Sequence, residues 1–191
     1  MSAAVYLQHG LHLDRQKICS YLGCRGMVLS SELEALTATA AAVVGQKSYR
    51  VCWRRLPLAL DGSSLFFGGL LTVQSAALAK HLQGCADAVL FCATLGPSID
   101  RAIMAQRLHP AQALVWDAVG TAAIEQLCDD FCATLPQPQR PRFSPGYGDL
   151  PLDAQKTLLS LLDAQRLLGV SLTDALLMTP TKSVTAIVGL S

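Results

Sequence analysis

Between Arg142 and Asp149 the chain gathers a guanidinium, a hydroxyl, a phenol and a carboxylate in the run Arg142-Phe143-Ser144-Pro145-Gly146-Tyr147-Gly148-Asp149. These groups suit holding a ligand. Arg142 offers a planar fork of donors that matches a carboxylate. Tyr147 offers an apolar face with a hydroxyl at its tip. Gly146 and Gly148 carry no Cβ, so a ligand or another stretch of backbone can come close. Pro145-Gly146 reads as the centre of a type II turn: proline presets φ near −65° at the first central position, and glycine accepts positive φ at the second. Arg, Pro and Gly also mark ordinary connections between helices, and these residues alone leave that reading open.

Three further side chains stand behind this set. Glu125 lies between Ile124 and Leu127, beside an apolar helical stripe where a carboxylate needs a partner or a path to solvent. Asp149 is placed to cap or brace the loop. Lys182 falls in a turn, where a solvated lysine is the default. No catalytic residue and no metal site is assigned. The four histidines, His9, His12, His81 and His109, are scattered and form no D-x-H-x-x-G pattern. Thr94-Leu95-Gly96 follows a strand and opens a helix, a place where anions bind to free N–H groups. Without G-x-G-x-x-G or a Walker sequence, it reads as a chain-turning segment.

The elements that must position these residues follow from periodicity and stop signals. Helices are expected over His12–Leu22, over Glu32–Val44 behind a Ser31/Glu34 capping box, from a Ser75 cap to Leu82, over Ser98–Leu108, over Ala111–Leu135, and over Ala154–Leu168 behind an Asp153 cap with Gly169 as its stop. Ser48–Ala59 alternates as a half-buried strand, with Pro57 marking an edge or an irregular end. Asp61-Gly62 turns it into Ser64–Phe67, and Leu70–Val73 is a third short strand. Ala86–Ala93 is apolar throughout and reads as a strand covered on both faces. Pro136, Pro138 and Pro141 carry the chain in extended form into the loop. Ala175–Thr179 and Val184–Leu190 are expected to close the sequence as a hairpin. The sum is an α+β fold, one domain over residues 1–191, with a largely antiparallel twisted sheet flanked by helices.

Composition excludes several classes. The chain has 191 residues, of which 51% are hydrophobic and 15% charged, so it is globular and not disordered. A formal net charge of +1 without a basic cluster argues against non-specific nucleic-acid binding. The longest apolar stretch, around Ala38–Val44, is too short to span a bilayer, and residues 1–10 lack the layout of a signal peptide. Seven cysteines with no C-x-x-C, most of them inside apolar runs, fit reduced buried thiols and a cytoplasmic location.

The succession Arg142-Phe-Ser-Pro-Gly-Tyr147, Asp149-x-Pro151, Gln155, Leu161-Leu162-Asp163, Gly169, Leu172-Thr173, Met178-x-Pro180 and Lys182-Ser183-Val184 resembles the activation domain of cobalamin-dependent methionine synthase, in its small stand-alone bacterial form. The resemblance is specific from Arg142 to Gly189 and diffuse upstream, where Thr94-Leu-Gly96 and Asp117-x-x-Gly120 with Glu125 match. The aspartate with which the family meets the ligand's adenosyl end has no counterpart in the N-terminal part.

The resemblance implies a module that binds S-adenosylmethionine through Arg142, Ser144, Gly146 and Tyr147, with Ser144 contributing backbone more than hydroxyl. It implies docking onto the corrinoid of a methionine synthase protein supplied in trans, and a flavodoxin-type reductant. In that setting one-electron reduction of an inactive Co(II) corrinoid is made productive by methyl transfer, in methionine biosynthesis. Cobalamin belongs to the partner, and the module is part of a methyltransferase activity rather than a complete enzyme. The alternative is a non-catalytic scaffold for a corrinoid protein that has lost S-adenosylmethionine binding.

Overall fold

The computed structural model describes residues 2–191. Its centre is β5 (Asp87–Thr94), buried along almost its whole length. That burial is what its unbroken apolar sequence requires. On one side it pairs with β2 (Ser48–Asp61) and on the other with β8 (Ser183–Leu190). β3 (Ser64–Phe67) and β4 (Leu71–Gln74) continue from β2, and β1 (Ala4–His9) lies along the other half of β2. All these pairings are antiparallel. Pro57 falls in the gap along β2 between Trp53, paired with Ala4 of β1, and Leu58, paired with Phe67 of β3. A residue without N–H is tolerated there.

Helices cover both faces. One carries α1 (Arg15–Tyr21), α2 (Ser31–Gly45), α4 (Pro97–Ala105) and the long α5 (Pro110–Ala133). Its core joins Val51, Phe91 and Val188 to Val119, Leu127 and Phe131. The other face carries α3 (Ala76–His81), α6 (Ala154–Leu161) and α7 (Ala164–Leu168), over Cys52, Leu90 and Ile187. The fold is thus α+β, with an antiparallel sheet flanked by helices.

Several local expectations change. The first helix begins at Arg15, behind an Asp14 cap. Ser30, not Ser31, caps α2, accepting from Leu33 N, and Glu34 turns away from the helix end to pair with Arg15. The expected Ala154–Leu168 helix breaks in two, because Asp163 takes a left-handed φ of 52°; Asp153 makes no capping bond. The closing hairpin does not form. Met178–Thr179 (β7) pairs with Ser171–Leu172 (β6), and β8 runs beside β5 instead. β8 is apolar on both faces, so it gains more from an interior position than from pairing with the half-exposed 175–179 segment. β1 was not foreseen.

Candidate functional site

After α5, residues 139–143 run along the outer edge of β8. Gln139 bridges Leu190 and Phe143 bridges Ile187, leaving three residues on one side against two on the other. This is a β-bulge, which re-aims side chains. Gln139 Nε2 reaches back to the Cys132 carbonyl on α5, and Phe143 packs into the opposite core. Between them Arg142 points at α5.

The Pro145-Gly146 turn forms as expected: Tyr147 N donates to the Ser144 carbonyl at 3.1 Å, and Gly146 has φ 92°. The same register that joins Phe143 to Ile187 would set Pro145 opposite Thr185. Proline has no N–H to donate, and the chain turns away there. Among the described residues no strand pairs with β8 at Ser183–Thr185 on that side. A groove of about 420 Å³ lies there, bounded by Ser144, Pro145, Gln155, Met178, Val184 and Thr185. The peptide groups of Thr185 alternate onto this edge together with those of Ile187. Gln155, only 4% exposed, donates through Nε2 to the Leu176 carbonyl and fixes the far wall.

The structure divides the sequence-nominated residues among three places. Ser144 lines the groove. Arg142, Glu125 and Lys182 lie along α5. Tyr147 and Asp149 hold the outside of the loop.

On α5, Asp117, Thr121, Glu125 and Asp129 stand four residues apart and form one polar stripe. Arg142 Nη2 donates to Glu125 Oε2 and to Asp129 Oδ1, both at 2.9 Å. Its Nη1 is buried and finds no hydrogen-bond partner. Burial pulls the guanidinium pKa down, but the acidic groups around it, Cys128, Glu125 and Asp129, outweigh this and raise it above its ordinary value. Burial keeps the Cys128 thiol protonated and pushes Cys132 up to about 11, so at neutral pH the two carboxylates are the charges that act. Lys182 is not the solvated lysine expected from its turn. Its side chain is 13% exposed and lies across Gly120, where a Cβ would come within 3.2 Å of Cε. Nζ meets Thr121 Oγ1 and Asp117 Oδ1, each at 2.8 Å.

Tyr147 is 62% exposed and stands edge-on to Phe143, with ring centroids 6.1 Å apart. Asp149 braces the loop against α3. It accepts from Ser75 Oγ, from Ala76 N at 2.8 Å and from Ala77 N at 3.1 Å, adding a carboxylate to a helix start already capped by Ser75. Gly148 lets the two segments meet, since a Cβ there would lie 2.8 Å from that of Ala77. The Ser75 hydroxyl first, then the two amides, hold the Asp149 carboxyl below its ordinary value. A depressed carboxyl contributes stability above the unfolded value, near pH 4, and loses it as pH falls through the folded value. Asp149→Asn is therefore expected to flatten the acid limb of the stability–pH curve below about pH 4. Denaturant melts of both proteins between neutral pH and pH 3 check this; parallel curves would count against the brace.

Sequence reasoning met Asp117 only within the diffuse upstream resemblance, and passed over Asp129 and Lys17, whose Nζ meets Asp129 Oδ2 at 3.0 Å. The four-residue spacing of the α5 stripe was the available signal. Thr94 turns the chain as expected, its Oγ1 accepting from Gly96 N and Ser183 Oγ.

Residues 105–190 match the family model of the vitamin B12 dependent methionine synthase activation domain. Among solved structures, the MetH reactivation domain bound to AdoHcy superposes with a TM-score of 0.71 at 15% identity, covering 98% of this chain and 78% of that one. No curated protein matches the chain. The resemblance carried by the Arg142–Gly189 residues is thus borne out: the chain is similar to the activation domain of vitamin B12 dependent methionine synthase in sequence over residues 105–190, and to a reactivation domain in fold along nearly its whole length.

Proposed function

We propose that the chain is a single-domain S-adenosylmethionine-binding reactivation module. It serves a cobalamin-dependent methionine synthase supplied in trans, in the cytoplasm, with a flavodoxin-type protein as reductant. The observation that carries the reading is that the family match spans the Arg142–Tyr147 loop, the α5 stripe and the groove wall in one continuous stretch. The local chemistry fits the ligand. S-adenosylmethionine is a zwitterion with an additional sulfonium charge, and the site offers one arginine, two carboxylates, and a groove along an open strand edge. The ligand supplies an activated methyl group; the cobalt that receives it is the partner's. This chain's own residues bind and orient. Arg142 takes the carboxylate end, Ser144 and Gly146 present backbone, and Tyr147 covers the ligand from the solvent side.

Titration calorimetry of the purified protein with S-adenosylmethionine is expected to give a saturable one-site isotherm. Absence of heat, with and without a corrinoid methionine synthase protein lacking its own activation module, would overturn the reading.

A second reading, a corrinoid-protein scaffold that has lost the ligand, is favoured by one observation: both hydrogens of Arg142 Nη2 are already held by the chain's own carboxylates. Retention of a corrinoid protein on the immobilised chain, indifferent to added S-adenosylmethionine, would select this reading.

A further inference from the structure

Resting on that ligand reading, we infer that Lys17 and Asp129 form a latch that releases Arg142 to a ligand carboxylate. A carboxylate binds an arginine side-on through Nε and Nη2 or end-on through Nη1 and Nη2. Both forks need a hydrogen of Nη2, and both of those hydrogens are taken, one by Glu125 and one by Asp129. A ligand carboxylate must therefore displace one of them.

The two are not equivalent. Asp129 holds a second cation through its other oxygen, Lys17 Nζ at 3.0 Å. Glu125 has no second cation among the described ion pairs. Asp129 can thus let go of Arg142 and remain neutralised, whereas Glu125 would be left as a lone charge beside the incoming carboxylate. Lys17 comes from α1, an element outside the residues that match the family model. Tyr21, one turn further along α1, lies within the same field: after burial, the Glu125 charge is the next cause of its raised pKa. α1 thereby sets the affinity of a site built otherwise from the C-terminal half. Lys17 and Asp129 act through Arg142 and are positioning residues.

The test is a double-mutant cycle read by calorimetry with S-adenosylmethionine. Lys17→Met is expected to weaken binding about two- to fivefold, the range for a half-exposed ion pair, because the released Asp129 is then unpaired. Asp129→Asn is expected to bind at least as tightly as wild type, since no charged partner has to be displaced. In the Asp129→Asn background, Lys17→Met is expected to have no effect. A merely structural role for Lys17 would persist in that background, so persistence overturns the latch. So does wild-type affinity in Lys17→Met while Arg142→Ala has lost binding. If wild type itself gives no heat, the ligand reading falls and the latch with it.

Discussion

Phe131→Ala is expected to lower the free energy of unfolding by about 3–5 kcal/mol. Phe131 is 1% exposed, and it is where three elements meet α5. Its ring centroid lies 5.6 Å from that of Tyr6 on β1, 6.0 Å from Trp53 on β2 and 5.1 Å from Phe91 on β5, all tilted. Truncation removes the transfer free energy of a full aromatic ring and leaves a cavity that β2 and β5, locked in one sheet, cannot collapse to fill. It also deletes aromatic pairs worth about 0.5–1.5 kcal/mol each beyond their area. Natural domains hold only about 5–15 kcal/mol in reserve, so the variant stands near the edge of folding. Phe131→Leu, which keeps much of the volume, is expected to lose less, about 1–2 kcal/mol. Urea melts followed by tryptophan fluorescence measure both. A loss below about 1 kcal/mol for the alanine variant would show that the hub is not where the sheet and α5 are joined.

Arg142→Ala is expected to weaken S-adenosylmethionine binding by about ten- to a hundredfold, as a hydrogen bond to a charged group carries about 1.5–3 kcal/mol. Arg142→Lys is expected to recover little, because an ammonium cannot make the two parallel bonds of a fork. Stability should move far less, by about 1 kcal/mol, since Glu125 and Asp129 are both partly exposed and water screens what Arg142 leaves behind. The separation of the two readouts is the point of the experiment. Calorimetry with thermal melts distinguishes a clamp from a strut, and an unchanged affinity in Arg142→Ala would remove Arg142 from the site.

The elements behind these predictions were unequally legible. α5, β5 and the Pro145-Gly146 turn were read almost as they stand, because each is long or carries a residue whose backbone preference leaves few alternatives. The pairing partner of β8 was misjudged. An apolar run states that it will be buried, not against which strand, and proximity in sequence favoured the 175–179 segment. β1 escaped because Val5 and Leu7, on its open face, are apolar and half exposed, which erases the alternation that marks an edge strand. The turn at Pro145-Gly146 and the bracing role of Asp149 were legible in the sequence. What the loop touches was not. Asp129 and Lys17 lie 13 and 125 positions from Arg142 in sequence, and only the packing of α1 on α5 brings all three together.

The unequal count along the β8 edge has a further meaning. A strand of strict alternation would place residues 139 and 143 on the same side of the sheet, and 142 on the other. Gln139 could then reach α5, but Phe143 would follow it there, and Arg142 would face α3. The surplus residue between the two bridges inverts the phase once, so that Arg142 joins Gln139 on the α5 side and Phe143 enters the opposite layer. Although this segment is a proline-rich connection by composition, its length is as constrained as that of a core strand. Losing or gaining a single residue there would exchange the two side chains' destinations while leaving every residue type in place.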